Sequence, residues 1–217
     1  MSTTSPPVSS AASDRWSAQR IGELVGTYRR QRNMKVSQLA RQIGVTPSLV
    51  SQIERGNSRP SVATLFALAE ALDVSVDVFA AREPGTSGSS TAPPEVAEQY
   101  VVHRGNRRSI AISGGVTWEM LTPGRRQDVE FLELVYEPHA ESNESLYRHP
   151  GFEMMCVLAG RFDIYVGFDV FTLGEGDSIA FPSSMPHRYV NPTDGKSHAI
   201  TVILHEGGDD GPTHPER

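Results

Sequence analysis

Residues 36–56 read VSQLARQIGVTPSLVSQIERG, and their spacing decides the N-terminal architecture. Leu39, Ala40 and Ile43 share one face of a helix predicted over roughly Val36 to Ile43. Gly44 tolerates the positive φ that a tight helix-ending turn demands. Thr46 is a good N-cap, and Pro47 takes the first helical position, where a missing N–H does no harm. Together they open another helix, Pro47 to Glu54, closed by Gly56. Upstream, Ile21, Leu24, Val25 and Tyr28 repeat at the helical period. Downstream, Pro60-Ser61 starts a fourth helix with Leu65, Leu68, Ala69 and Leu72 as its stripe, and Val76 to Ala80 is expected as a fifth.

Val45, Val50 and Ile53 complete the apolar side of the central pair, which leaves Ser48, Ser51, Gln52 and Arg55 on the opposite face. Two short helices joined by a glycine turn have the spacing of a helix-turn-helix, whose second helix can enter a DNA major groove. Short donors and acceptors read base edges there, and Gln can pair with adenine. The charge pattern agrees. Residues 15–60 carry nine Arg and Lys against two acids, a balance of +7, whereas residues 84–217 carry ten basic and nineteen acidic side chains, a balance of −9. A basic head on an acidic body implies two domains with different partners, the head suited to a polyanion. The blander alternative is a helical interaction module in which Gln52 is merely solvated.

The stretch Ser51 to Phe79, SQIERGNSRPSVATLFALAEALDVSVDVF, is similar to the lambda-repressor/Cro-type helix-turn-helix of the xenobiotic-response-element regulators. Residues 21–80 resemble that five-helix domain as a whole. The resemblance implies that Pro47–Glu54 is the recognition helix. Base-edge contacts then fall on Pro47, Ser48 and Gln52, with Thr46 and Ser51 beside them, and phosphate contacts near Gln38, Asn57, Ser58 and Arg59. Lys35 departs from the pattern by standing where a Ser or Thr usually caps the second helix. A weaker cap and more local positive charge are expected there. A head this small neutralises few phosphates, so a homodimer, or a higher oligomer, on a palindromic double-stranded DNA operator is expected.

The chain has 217 residues, 38% hydrophobic and 21% charged, with a net charge of −6, which suits a soluble protein of two small domains. No stretch approaches the roughly eighteen consecutive apolar residues of a membrane span. Residues 1–14 are rich in Ser, Thr and Pro and read as a disordered tail rather than a signal peptide. Cys156 is the one cysteine, which excludes an internal disulfide and a Cys-based zinc site and points to the cytoplasm. With no basic sequence neighbour to activate it, Cys156 reads as a buried structural thiol rather than a redox sensor. The expected layout is a helix-turn-helix DNA-binding domain at 15–81, a linker at 82–95 (REPGTSGSSTAPPE), a second domain at 96–206 and a flexible tail at 207–217.

In the second domain, Val129–Tyr136, Met154–Leu158, Phe162–Val166, Ser178–Phe181 and Ala199–Leu204 read as short strands separated by Gly, Pro, Asn and Asp clusters. That texture predicts an antiparallel sandwich or barrel. His149 and Glu153 flank the Pro150-Gly151 turn, and His187 follows in PSSMPHRYVN. If the strands line a small barrel, two His and one carboxylate converge as the facial set suited to Fe(II) and related ions. Isolated His residues at strand ends are more often simply hydrogen-bonded. Strand alternation puts Met155 and Val157 on the face of Glu153, with Met154 and Cys156 opposite. Phe181, Tyr165 and Tyr189 read as pocket wall or core, with core the simpler reading, and His103, His139, His198 and His205 fit no motif.

Residues 137–191 resemble the two motifs of the cupin family, a jelly-roll barrel. The first runs through Tyr147-Arg148-His149 to Glu153 and Gly160, and the second through Gly176, Pro182, Ser184, His187 and Asn191. The resemblance implies one divalent transition metal (Fe, Zn, Ni or Mn) on His149, Glu153 and His187. It departs where Tyr147 replaces the usual first His, and where Glu141 and Ser184 replace glycines. A phenol can ligate, but its pKa near about 10 makes it a poorer ligand than imidazole at neutral pH. Three readings therefore stay open: a metal site, a metal-free pocket in which Tyr147, His149, Glu153, Met155 and His187 bind a small-molecule effector, or a buried polar network. In sum, the chain is read as multidomain, α then β, and it resembles bacterial transcriptional regulators with a cupin sensor domain. No residue is assigned a catalytic role. One rival is a metal-dependent cupin enzyme of oxygenase or isomerase type carrying a DNA-binding head, and a second is a metal sensor in which the ion itself is the effector.

Overall fold

The computed structural model describes residues 10–82, 99–124 and 128–205. The head contains four α-helices: α1 (Ser10–Gln31), α2 (Val36–Gln42), α3 (Pro47–Glu54) and α4 (Val62–Ala71). The fifth helix expected at Val76 to Ala80 is instead a single 3-10 turn, Val76–Phe79. Val74, Val76 and Val78 are β-branched and stiff at χ1, and the segment is too short to offset that with further hydrogen bonds. Helix α1 starts at Ser10, so the boundary expected after residue 14 falls inside a helix. Residues 1–9, residues 83–95 of the linker and the 207–217 tail lie outside the described residues.

Local chemistry explains the head. The Leu49 N–H donates to Thr46 Oγ1 at 3.2 Å, with Pro47 opening α3 as its spacing predicted. At Lys35, which offers no side-chain acceptor, the backbone N–H donates to Gln38 Oε1 at 2.7 Å, so Gln38 closes the end of α2 from inside the helix. Arg29 on α1 grips Glu54 on α3 through two hydrogen bonds of 2.6 and 3.0 Å. Gly56 has φ +70°, and a Cβ there would stand 2.8 Å from the Gln19 Cα, so glycine alone lets α3 end against α1.

The body is a stack of two antiparallel sheets. Its strands are β1 (Ala81–Arg82), β2 (Arg108–Ile112), β3 (Val116–Met120), β4 (Val129–Tyr136), β5 (Phe152–Ala159), β6 (Arg161–Val166), β7 (Asp169–Gly174), β8 (Ser178–Pro182), β9 (His187–Val190) and β10 (Ser197–Leu204). The seven-stranded sheet runs β1-β2-β3-β4-β10-β5-β8 and the three-stranded sheet β7-β6-β9. The expected closed barrel is therefore corrected to a sandwich among the described residues. Segment 141–150 forms no strand ladder with β9 and pairs its backbone with it at the isolated bridges Glu141–Val190 and Tyr147–His187. Pro138, Pro150 and Pro186 around it lack the N–H that a continuous ladder needs.

Inner-face residues alternate as strands require. Glu153, Met155 and Val157 of β5 lie opposite Ile203, Thr201 and Ala199 of β10, and all six are buried. Tyr136 and Phe162 meet edge-on across the sheets, ring centroids 5.2 Å apart. The outer face of β5 carries Phe152, Met154, Cys156 and Leu158, all exposed. Cys156 is thus an exposed thiol and not the buried one expected; the same alternation that buries Met155 turns it outward.

Head and body are joined by more than the chain. Strand β1 pairs with β2, which adds the end of the head to the large sheet. The Ser113 N–H donates to Pro60 O at 3.1 Å, and the Val62 N–H to Ser142 O at 3.3 Å. Arg108 and Asp77 form an ion pair at 2.9 Å with both side chains largely buried. Among the described residues, no helix is long and apolar enough to cross a membrane.

Candidate functional site

Two sites emerge, one on each domain. On α3, Val50 and Ile53 are buried in the head core. Ser48, Gln52 and Arg55 fall at i, i+4 and i+7 and are exposed together, with Thr46 and Pro47 exposed beside them and Ser51 half-buried. The face expected to read base edges is therefore one continuous outward strip. Gln38 is exposed, although its carbonyl oxygen already serves the end of α2. Asn57, Ser58 and Arg59 lie past the foot of α3, where with Gly114 and Gly115 they line a crevice of about 420 Å³ between head and body.

The second site spans both sheets. Tyr147 and His187 exchange two backbone hydrogen bonds of 3.0 and 2.8 Å, which aims their side chains the same way. His149, two residues further on, returns to that face, and its N–H donates to Ser183 O at 3.1 Å. Gly151 then turns the chain into β5 with φ +125°; a Cβ there would stand 2.1 Å from Leu204 O. Two residues later Glu153 points into the sandwich.

The result is a compact donor set. One ligand atom from each of His149, Glu153 and His187 lies within 4.8 Å of the others, and all three residues are buried. His149 Nε2 is 2.6 Å and His187 Nε2 3.4 Å from Glu153 Oε1. The His187 Nδ1–H donates to Met185 O at 2.8 Å, which leaves the lone pair on Nε2, a buried atom without a hydrogen-bond partner among the described residues. His149 Nδ1 reaches Pro150 O at 3.3 Å in the same sense. The 2.6 Å bond between His149 Nε2 and Glu153 Oε1 needs a proton on that nitrogen, and a cation that displaces the proton would take both Nε2 lone pairs and the carboxylate oxygen together. The residues fit a divalent metal.

The surroundings keep the set ionised as a ligand set must be. Burial pushes the Glu153 carboxyl up, but its interactions with His149 and His187 when these carry a proton outweigh burial and hold the carboxyl at about 2. Tyr189 donates its O–H to Glu153 Oε2, and burial, then the Glu153 charge, raise that phenol well above its ordinary value. Tyr147 is raised likewise, by burial first and then by the neighbouring Tyr136 and Glu153. Met155 shares the inner face of Glu153.

Several site residues escaped the sequence reading. Tyr189 is core, as expected, but its hydrogen bond to Glu153 was not foreseen; strand alternation from His187 was the available signal, since both lie on one face of β9. Ser142 and Trp118 carried no signal. Neither did Phe66 of α4, which stacks on His149 with ring centroids 3.8 Å apart. His198 and His205 pair with Glu133 and Glu130 at 3.1 Å each, outside this cluster.

Comparison with known proteins agrees with both halves. Residues 26–79 match the helix-turn-helix family HTH_3, and residues 132–203 match the cupin domain family Cupin_2. The chain is 27% identical over 176 residues to the HTH-type transcriptional regulator SutR of Escherichia coli (strain K12), covering 81% of this chain and 89% of that protein. It is 25% identical over 182 residues to the HTH-type transcriptional regulator PuuR of Escherichia coli (strain K12), covering 83% and 92%. Among solved structures, an HTH_3 family transcriptional regulator from Vibrio cholerae superposes with a TM-score of 0.63 at 21% identity, covering 89% of this chain and 99% of that one.

Proposed function

We propose that this chain, a helix-turn-helix domain joined to a cupin domain, is a cytoplasmic, dimeric, sequence-specific transcription regulator. In this reading α3 enters the major groove of a palindromic operator, and the cupin site senses a metal-anchored small molecule. The observation that carries the reading is the exposed Ser48–Gln52–Arg55 strip on a buried Val50–Ile53 frame, in a head that is strongly basic. The relatives being named as transcriptional regulators supports it. Gln52 and Ser48 supply base-edge hydrogen bonds, while Gln38, Asn57, Ser58 and Arg59 meet phosphates and set the register.

His149, Glu153 and His187 hold a divalent transition metal (Fe, Zn, Ni or Mn), with Tyr147 as a neutral hydrogen-bonding wall and Met155 as an apolar one. When bound, that ion supplies a Lewis-acidic anchor for an oxygen- or nitrogen-bearing effector. An effector alters operator binding only through different affinity for two arrangements of head and body. The outer face of the large sheet supports pairing of two copies: Phe152, Met154 and Leu158 of β5 lie beside Val202 and Leu204 of β10, an apolar band two copies could share.

The test is operator selection from random DNA followed by anisotropy titration, with the oligomer measured by light scattering. A dimer that selects a palindrome, with affinity shifted about 5- to 150-fold between zinc-loaded and chelator-treated protein, is the expected outcome. Selecting no sequence overturns the DNA-reading role. An affinity that Glu153→Gln and chelation both leave unchanged overturns sensing through this site.

A further inference from the structure

Phe66 belongs to the head, yet its ring lies in the cupin site. It projects from α4, is buried, and stacks on the His149 imidazole with centroids 3.8 Å apart and planes 14° from parallel. Tyr147 lies stacked at 6.2 Å and Trp118 tilted at 5.6 Å from the same ring. A second thread joins the same helix to the same site. The Val62 N–H at the start of α4 donates to Ser142 O, and the Ser142 hydroxyl accepts from the N–H of Tyr189, whose own hydroxyl donates to Glu153. One helix of the DNA-binding domain therefore touches the candidate metal centre through both a ring and a backbone bond.

Resting on the reading of His149, Glu153 and His187 as a metal set, we infer that Phe66 couples metal occupancy to the docking of the head. Its ring positions His149 for the ion, and the ion in turn strengthens the stack that holds α4 on the body. The hydrogen bonds show why His149 needs this support. His187 is fixed by a bond of 2.8 Å from Nδ1 to Met185 O, whereas the His149 bond to Pro150 O is 3.3 Å. His149 Nε2 also bonds Glu153 Oε1 at 2.6 Å, but that nitrogen is the one the ion would take, so with metal bound the phenyl face supplies the restraint on the His149 plane. An imidazole that gives its lone pair to a cation also becomes electron-poor, and the negative face of a phenyl ring attracts it more strongly. Coupling of binding free energies is reciprocal, so what Phe66 does for the metal the metal does for the docking of α4.

The experiment uses the full chain with zinc as the sole ligand, zinc affinity by competition titration, and hydrogen exchange of the α4 amides as a readout independent of DNA. Wild type, Phe66→Leu, Phe66→Tyr and His187→Ala are compared. Zinc is expected to slow exchange across Val62–Ala71 in wild type and Phe66→Tyr. In Phe66→Leu, which keeps an apolar side chain but no ring, zinc affinity falls about three- to tenfold and the zinc-dependent slowing is lost. Phe66→Leu binding zinc as tightly as wild type with the same slowing overturns the coupling while leaving the metal site standing, provided His187→Ala has lost zinc. Wild type failing to bind zinc, or His187→Ala binding it unchanged, overturns the metal reading and the coupling together.

Discussion

Gln52 is the residue on which the reading of DNA turns. It is exposed at the centre of the α3 strip and can present both a donor and an acceptor to adenine. Gln52→Ala is expected to weaken binding to the selected operator by about 1–3 kcal/mol and binding to random DNA hardly at all. Equal losses on both DNAs in an anisotropy titration would reduce Gln52 to a general contact. A different residue pair sets a pH dependence. His205 stands 3.1 Å from the buried carboxylate of Glu130, and that hydrogen bond, against the effect of burial and with the Glu130 charge, raises its pKa. A raised folded value means that the stabilisation is complete below the unfolded pKa of about 6.5 and is lost as pH rises through the folded value. Wild type should therefore lose stability to denaturant as pH rises above about 6.5, and Glu130→Gln should lose less over the same rise. Identical slopes for the two proteins would show that His205 contributes nothing.

At the scale of elements, the turn into β5 decides whether the donor set exists. Gly151 combines φ +125° with a backbone oxygen 2.1 Å from where a Cβ would sit, so no side chain fits without moving β10. Gly151→Ala is expected to destabilise the fold by about 2–4 kcal/mol and, because His149 and Glu153 flank the turn, to weaken zinc binding as well. Calorimetry and a zinc titration on the one variant check both, and full stability in Gly151→Ala would show that the turn relaxes freely. The helices of the head were legible because caps, a glycine turn and the 3.6-residue period all fall within a few residues of one another. The strands were legible where alternation was strong, as at Val129–Tyr136. Strand β9, only four residues long and carrying His187 and Arg188, offered too short a pattern, as did the edge strand β7, whose Val170 and Phe171 are both exposed. Such strands are made by the neighbours they pair with rather than by their own sequence.

The whole molecule is one connected body among its described residues rather than a head on a tether. Strand β1 lies in the large sheet, Arg108 pairs with Asp77, and Phe66 enters the site. Calorimetry of the full chain should accordingly show a single cooperative transition, lowered as a unit by Asp77→Ala; two separate transitions would mean that the joint is too weak to couple the domains. By itself the sequence determined what depends on near neighbours: the α-then-β order, the caps of α3, the outward Ser48–Gln52–Arg55 strip, and the inward side of β5 with Glu153 and Met155. It also supplied His149, Glu153 and His187 as a ligand set by family resemblance. Only the tertiary structure decided that Tyr147 is buried against His187, that Tyr189 donates to the Glu153 carboxylate, that Cys156 is exposed, and that Phe66 reaches His149 from the other domain. Each of these depends on residues far apart in the chain. Periodicity reports which way a side chain points from its own element, whereas the partner it meets is set by how sheets and helices pack, which no local pattern records.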